Sequence, residues 1–374
     1  MRKTLSLLAT VATAAVFVSA GTAGIAAADG GSSGAPVLLT DGLVGPLHLS
    51  AGSSGSVTVS EEFAGRLTRI DSAGNKNVLY ESADWDVAGN TQWHGSTYFL
   101  ESQGAGPGDQ RDLAGHIRII DGDNHQRTLG DFAALETKRN ADGKTRYGFR
   151  GLPAECAAQL PPEMPATYTG EVDSHPYGIA VTDGTIYVAD AGANSVVSVD
   201  ARSGKMKTIA VLPPRPLKIN ADVAASNGLP ACVAGATYDF EAVPTDVAAG
   251  PDGWLYVTSL PGGPEGPALG ARGAIFKVNP KDDDVKLVAE EILSPTGLVV
   301  TDDGDMYVAS LFGDGVLKVD RDSGKQTVVL AASLTADVAL RGHTLYATAN
   351  ALGTSGQVLY VKLDHGSNDR DAGN

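Results

Sequence analysis

The chain has 374 residues with 44 acidic and 28 basic side chains, and its net charge of −16 repels nucleic-acid phosphates and anionic lipid surfaces, so binding to either is not expected. The 46 glycines, the 19 prolines and the hydrophobic share of 43% are typical of a folded chain with many tight turns and exclude a largely helical or disordered protein. This composition predicts an all-β fold.

Residues 1–28 have the layout of a secretory signal peptide. Arg2 and Lys3 form a basic start, an apolar run follows at residues 5–18, and Ala28 ends a small-residue segment suited to cleavage. A membrane anchor is the alternative, but the apolar run is short and contains Ala, Thr and Ser throughout. We therefore predict a secreted, extracellular protein without membrane contact after cleavage, in which residues 29–36 form a flexible leader.

The remainder of the chain contains an internal repeat. Clear copies lie at residues 175–200, 244–291 and 295–331, a fourth lies at 335–364, and two degenerate copies lie at 45–81 and 84–130. Each copy has four short β-rich runs, here called a to d, which can bury their apolar residues only if neighbouring sheets stack on them. Radially stacked four-stranded sheets form a β-propeller. The sequence thus predicts a six-bladed propeller over residues 37–364, followed by a disordered tail at 365–374.

The ends of the repeat region predict how the propeller closes. The last copy stops after its third run, whereas residues 36–40, PVLLT, resemble the fourth run of other copies. We expect this N-terminal strand to complete the last blade, because the pairing removes two open sheet edges. A tyrosine recurs at one place on run b and is expected to pack between blades; these residues are Tyr98, Tyr187, Tyr256, Tyr307 and Tyr346.

Strand parity sorts the connections onto two faces. In a four-stranded meander the a–b and c–d turns lie on one face, and the b–c and d–a connections lie on the other. The long insertions all belong to the second face: residues 102–115 and 260–273 are b–c connections, and residues 136–174 and 213–243 are d–a connections. Loops on a rigid scaffold often carry function. Cys156 and Cys232 lie in the two d–a insertions, and in an exported chain they predict a disulfide.

The candidate site is the mouth of the central channel on this looped face, where the a strands begin and the b strands end. Oxygen and nitrogen ligands from separate strands could surround a Ca²⁺ or Zn²⁺ ion, and the candidate ligands are His48, Asp86, Asp246 and Asp337. The alternative is that the aspartates accept hydrogen bonds from backbone amides where the strands crowd together. The candidate ligand-binding residues are Trp85, His175, Tyr177, Glu61, Glu101 and Asp190.

Several quoted segments resemble a known family. The repeats are similar to NHL/TolB-like propeller repeats, and HPYG, ADAGAN, PPRP and the Pro-Gly-rich loop at 261–267 resemble, in order and spacing, the ScyD/ScyE family of secreted six-bladed propellers associated with scytonemin biosynthesis. The resemblance implies this fold and export, and it implies no defined reaction. His175 stands where that family is expected to have asparagine.

Two functions follow as hypotheses. The favoured one is an extracellular binding or scaffold propeller, a monomer, whose looped face recognises a small molecule, peptide or glycan without turnover. The alternative is a metal-dependent hydrolase or lyase acting at the channel mouth. No nucleophile elbow, phosphate loop or zinc-protease motif is present in the sequence, so no catalytic residue is assigned and no cofactor beyond the divalent ion is expected.

Overall fold

A computed structural model describes residues 35–105, 110–264 and 266–363. The predicted signal peptide, the tail and Asp364 lie outside the described residues, as does most of the predicted leader. The described chain is almost entirely β-structure, with short helices α1 (Phe132–Arg139), α2 (Ala154–Ala157) and α3 (Ala221–Ser226). None of the described helices is long and apolar enough to cross a membrane.

The strands are short, as the closely spaced turn residues predict. The first fifteen are β1 (Val37–Leu43), β2 (Pro46–Ala51), β3 (Val57–Glu61), β4 (Arg66–Ile70), β5 (Lys76–Glu81), β6 (Asp86–Trp93), β7 (Ser96–Gln103), β8 (Ala114–Ile120), β9 (Gln126–Leu129), β10 (Arg146–Phe149), β11 (Thr167–Thr169), β12 (Pro176–Thr182), β13 (Thr185–Asp190), β14 (Ser195–Asp200) and β15 (Met206–Val211). The others are β16 (Arg215–Lys218), β17 (Thr237–Phe240), β18 (Pro244–Ala249), β19 (Leu255–Ser259), β20 (Gly273–Val278), β21 (Val285–Ile292), β22 (Pro295–Val300), β23 (Met306–Ser310), β24 (Gly315–Val319), β25 (Gln326–Ala331), β26 (Val338–Arg341), β27 (Thr344–Ala349) and β28 (Gly356–Lys362).

These strands form seven four-stranded antiparallel sheets. Five of them are meanders of consecutive strands: sheet 1 (β2–β5), sheet 2 (β6–β9), sheet 3 (β12–β15), sheet 4 (β18–β21) and sheet 5 (β22–β25). Sheet 6 has the order β26–β27–β28–β1, so the N-terminal strand is its fourth member, with Val37 opposite Tyr360. The predicted closure by the N-terminal strand is confirmed.

The first strands of sheets 1 to 6 lie against one another in cyclic order. Strand β2 contacts β6, β6 contacts β12, and the series continues through β18, β22 and β26 back to β2. Apolar clusters fill the spaces between neighbouring sheets: Tyr98 packs with Ile186 of the next sheet, and Tyr346 packs with Leu49 of sheet 1. The recurring tyrosine is therefore a packing residue between sheets, as predicted. This radial stacking is that of a β-propeller.

The seventh sheet, here called the lid sheet, was not predicted. It has the order β11–β10–β17–β16 and consists only of the two d–a insertions on either side of sheet 3. The pairing of β10 with β17 joins the two insertions, and the Cys156–Cys232 disulfide joins them again, which confirms the predicted bridge. Its strands have three or four residues, too few to show an alternating pattern, so the sequence indicates loops where the chain forms a sheet.

Three of the four long connections meet on one side of the molecule. The b–c connection of sheet 4 packs against the lid sheet, since the Arg272 guanidinium lies 4.5 Å above the ring of Phe240 and the Gly262 amide donates a hydrogen bond to the carbonyl of Glu241. The lid sheet, the disulfide and this loop therefore form one continuous layer beside sheets 3 and 4.

Candidate functional site at the channel mouth

The mouth of the channel is a ring of one residue from each first strand: His48, Gly89, Gly178, Asp246, Gly297 and Asp337. The strand backbones meet closely here. A Cβ atom at Gly178 would lie 2.5 Å from the Cα of Asp246, and one at Gly297 would lie 2.7 Å from the Cα of Asp337. Only glycine allows this approach. Below the ring, a cavity of about 290 Å³ runs between the first strands.

The two ring aspartates bridge neighbouring strands through backbone amides. Asp246 accepts hydrogen bonds from the amide of Val247 at 2.8 Å and from the amide of Leu298 on the next strand at 2.8 Å. Asp337 repeats this with Val338 at 2.7 Å and with Leu49 at 2.6 Å. The alternative stated for these aspartates, hydrogen bonding to amides where strands crowd, is confirmed.

Burial makes both carboxyl groups hard to ionise. Burial raises the pKa of Asp246 to about 7. Burial, followed by the charge of Asp246, raises the pKa of Asp337 well above its usual value. Burial and the proximity of the two carboxyl groups thus both disfavour their charged forms.

Two histidines flank a tyrosine beside the ring. The rings of His48 and Tyr177 lie 4.4 Å apart and those of His175 and Tyr177 lie 5.2 Å apart, both edge to face. His48 is 2% exposed, and its Nδ1 lies 4.0 Å from a carboxylate oxygen of Asp337. Among the described residues, the Nε2 atom of either histidine has no hydrogen-bond partner.

Burial disfavours the charged form of both imidazoles. Burial, followed by the nearby His175, lowers the pKa of His48 to about 3. Burial also lowers the pKa of His175, although Asp86 and Asp173 oppose the change. A neutral imidazole can either donate or accept through its free nitrogen, depending on tautomer.

Asp86 does not occupy the ring position assigned to it from the sequence. The pairing of β6 with β7 shifts register by one residue between Val87 and Asn90, as the pairing of β2 with β3 does between Pro46 and His48, so Gly89 corresponds to His48. Asp86 lies at the start of β6, where its carboxylate is 3.3 Å from the Arg111 guanidinium. The prediction failed because the apolar pair after Asp86 precedes the ring position in β6, whereas in most of the other copies the apolar pair follows it.

Glu62 is a mouth residue that the sequence analysis missed. It follows the end of β3, its Oε2 is buried without a hydrogen-bond partner in the described chain, and burial, followed by the charge of Asp86, raises its pKa to about 8. The only sequence signal was its position beside Glu61.

The other predicted ligand-binding carboxylates have protein partners. Glu61 accepts two hydrogen bonds from Arg66 and one from Thr68; burial opposes its ionisation, but these bonds prevail and lower its pKa. Glu101 binds Arg118 at 2.8 Å and His116 at 2.7 Å. These contacts join strand b to strand c in sheet 1 and in sheet 2.

The remaining two candidates occupy different settings. Asp190 accepts hydrogen bonds from the hydroxyl of Ser174 and from the amide of His175, so it positions the segment that carries His175. The half-buried Trp85 lies edge to face with His116 at 4.6 Å. The structure thus brings His48, His175 and Tyr177 together and places Trp85 on the sheet 2 side.

Outside the channel mouth, one group of side chains has a spacing that could suit a metal ion. In the described part of the chain, the one group of three acidic or imidazole side chains with ligand atoms within 4.8 Å of one another is Asp121, Asp123 and His125, all exposed. It occupies the turn between β8 and β9, where Asp121 already accepts hydrogen bonds from the amides of Asp123 and His125. Such bonding is that of an ordinary turn.

Comparison with known proteins identifies the fold. No family model and no curated protein matches the sequence. The structure is similar to an aldose sugar dehydrogenase from Streptomyces coelicolor (TM-score 0.55, 14% identity, 91% of this chain and 100% of that chain). It is also similar to a gluconolactonase from Xanthomonas campestris (0.52, 15%, 88% and 89%) and to virginiamycin B lyase from Staphylococcus aureus (0.50, 14%, 88% and 98%). These solved structures are β-propellers, and the chain has the β-propeller fold.

Proposed function

We propose that the protein is a secreted six-bladed β-propeller, related to the ScyD/ScyE family, that binds a small uncharged polar ligand at the channel mouth. Sheets 1 to 6 are the blades and the lid sheet is an elaboration of the looped face. The cyclic contacts of the first strands support this count. The disulfide supports residence in an oxidising compartment.

The observation that carries the proposed binding site is the pair of unpartnered imidazole nitrogens on His48 and His175. A buried polar atom without a hydrogen-bond partner costs about 1–3 kcal/mol, so such atoms are rare in folded proteins. Two such atoms lie beside one aromatic ring, that of Tyr177, at the opening of a channel. This arrangement offers two hydrogen-bonding positions to a bound molecule. A ligand hydroxyl could satisfy either nitrogen, since it donates as well as accepts.

The protonation states favour an uncharged ligand. Burial disfavours the charged forms of His48, His175 and Glu62, and the Asp86 carboxylate lies 3.3 Å from the Arg111 guanidinium. The channel mouth therefore presents polar groups and no strong positive or negative electrostatic potential. Aromatic faces beside uncharged donors and acceptors suit a hydroxyl-rich molecule, and we name neutral carbohydrates as the ligand class.

Calorimetric titration of the mature protein with a panel of neutral mono- and oligosaccharides tests this function, with anionic sugars and short peptides as comparison. His175→Ala and His175→Gln should weaken the binding of a neutral sugar at least tenfold. Lys325→Ala, an exposed change in the turn between β24 and β25, should leave the affinity unchanged. Equal affinities in the His175 and Lys325 variants, or binding only of anionic sugars or peptides, would refute the proposal.

The metal-dependent hydrolase or lyase is tested on the same samples. Protein purified without chelators is analysed for bound metal, and each titration mixture is analysed for products. A stoichiometric metal that His48→Ala removes, together with product formation, would replace the binding function by catalysis.

A further inference from the structure

A second group of acidic side chains lies between the lid sheet and sheet 3. It comprises Glu136, Asp142, Asp173, Asp190 and Glu241. Glu136 belongs to α1, Asp142 lies between α1 and β10, and Glu241 follows β17. Glu136 and Asp142 are only 3% and 2% exposed. None of the five carboxylates forms an ion pair within the described residues.

The local chain conformation turns three oxygen-bearing side chains into this space. Asp131 caps the start of α1 by accepting a hydrogen bond from the amide of Ala134. The helix ends at Asn140, which has a left-handed conformation with φ of 41°, and the chain reverses there. Because of this reversal, Glu136, Asn140 and Asp142 all lie beside the same cluster.

In each of these three side chains one polar atom forms a hydrogen bond, and one oxygen, here called the left-over oxygen, does not. Glu136 Oε2 accepts a hydrogen bond from the Ala141 amide, and Asn140 Nδ2 donates to the carbonyl of Gly170 at 3.1 Å. Asp142 Oδ2 accepts hydrogen bonds from the Tyr147 hydroxyl at 2.8 Å and from Asn194 Nδ2 at 2.9 Å.

The left-over oxygens are Glu136 Oε1, Asn140 Oδ1 and Asp142 Oδ1. Each is buried and has no hydrogen-bond partner among the described residues. Several surface carboxylates of this chain form ion pairs, whereas these three oxygens are buried and have no such partner. A positively charged ion or a hydrogen-bond donor would satisfy them.

Gly170 packs directly against the Asp142 carboxylate and fixes its position. A Cβ atom at Gly170 would lie 1.8 Å from Asp142 Oδ1, so any larger residue would displace the carboxylate. Asn140 binds the carbonyl of the same glycine, which places the amide and the carboxylate on one short stretch of backbone. Gly170 has no left-handed φ, so close packing rather than backbone conformation accounts for a glycine here.

We propose that Glu136, Asn140 and Asp142 bind a hard divalent cation, Ca²⁺, through their left-over oxygens. All three ligands are oxygens and include an amide carbonyl, a set typical of Ca²⁺ rather than of Zn²⁺. Asn194, which binds Asp142, lies in the turn between β13 and β14, so the ion would anchor the lid to sheet 3. This site does not depend on the proposed sugar-binding function.

The test uses the whole mature protein, treated with chelator and then titrated with Ca²⁺ by calorimetry and thermal unfolding, with Mg²⁺ as a second arm. We expect about one bound Ca²⁺ and a higher melting temperature, with weaker binding of Mg²⁺. Glu136→Gln, Asp142→Asn and Gly170→Ala should each weaken Ca²⁺ binding at least tenfold. Asp121→Asn, in the exposed turn, should not.

The two amide variants also separate metal loss from misfolding. Glu136→Gln and Asp142→Asn remove negative charge from a repelling cluster, so without metal they should melt at or above the temperature of the chelated wild type. Absence of Ca²⁺ binding by the wild type, or binding that Asp121→Asn abolishes and Glu136→Gln preserves, would overturn the proposal. Unchanged sugar binding in these variants would show that the two sites are separate.

Discussion

Replacing Gly297 by alanine should destabilise the protein strongly, because this residue lies where two first strands meet at the channel axis. The new Cβ atom would lie 2.1 Å from Oδ1 of Asp337 and 2.7 Å from its Cα, whereas real Cβ atoms do not approach other atoms closer than 3.0 Å. The aspartate would have to move, and its hydrogen bonds to Val338 and Leu49 would lengthen or break.

The magnitude follows from these two effects. Forcing an extra carbon into a packed interior costs about 1–3 kcal/mol. Leaving a buried amide without its acceptor costs about 1–3 kcal/mol. The free energy of unfolding of Gly297→Ala should therefore fall by about 2–6 kcal/mol, the sum of the two costs. Gly178→Ala should be at least as damaging, since its Cβ would meet the Cα of Asp246 at 2.5 Å, and backbone yields less readily than a side chain.

Urea unfolding followed by circular dichroism and tryptophan fluorescence measures these changes. Gly122→Ala is the matched control, because Gly122 has no left-handed φ and its Cβ would come no closer than 4.0 Å to another residue. This variant should be unchanged or stabilised by about 0.4–1 kcal/mol through the unfolded state. If Gly297→Ala unfolds at the same urea concentration as Gly122→Ala, the first strands do not crowd at a common axis and the reasoning fails.

Two further predictions concern pH and the disulfide. Burial raises the pKa of Asp190 from its usual 3.8 to about 6, so its contribution to stability is full below about pH 4 and is lost as the pH rises through 6. Between these limits Asp190→Asn should gain about 3 kcal/mol relative to the wild type, at about 1.4 kcal/mol per pKa unit. Asp200→Asn is the control, because its carboxylate has a lowered pKa and its contribution to stability changes only below about pH 4, so this variant should run parallel to the wild type from pH 4 to 7. Parallel urea midpoints of Asp190→Asn and the wild type over that range would contradict the prediction. Cys156→Ser with Cys232→Ser opens a loop of 76 residues, which should cost up to about 4 kcal/mol. Limited proteolysis should then cut the lid sheet first, and cleavage unchanged from the wild type would show that the bridge does not hold the lid.

Much of the fold could be predicted from the sequence because it depends on local, repeated features. Each copy carries its own turn residues, five of the six carry the recurring tyrosine, and sequential strands pair with each other, so the meanders could be read without knowledge of distant contacts. The closure by β1 also followed from the repeat, since a missing fourth run at one end matched an extra run at the other. The disulfide was predicted from the presence of two cysteines in an exported chain, and strand parity placed both cysteines on one face.

The lid sheet, the ring and the acidic clusters depended on contacts that the chain makes only when folded. Strands β10 and β17 pair although all four strands of sheet 3 lie between them in the chain, and neither is long enough to show its own periodicity. In β6 the apolar pair precedes the ring position instead of following it, so Gly89 lies at the axis and Asp86 does not. Composition and spacing report the period of a strand, whereas a bulge or a pairing between distant short segments is decided by packing.

The same division applies to the candidate sites. The sequence placed His48, His175 and Tyr177 near one mouth, since each lies at the start of a first strand. That Glu136, Asn140 and Asp142 each keep one oxygen unpaired was decided by tertiary structure alone, because hydrogen-bond partners such as Asn194 and Gly170 come from distant parts of the chain. A sequence specifies which groups are available to bind, and only the folded chain determines which of them are left without a partner.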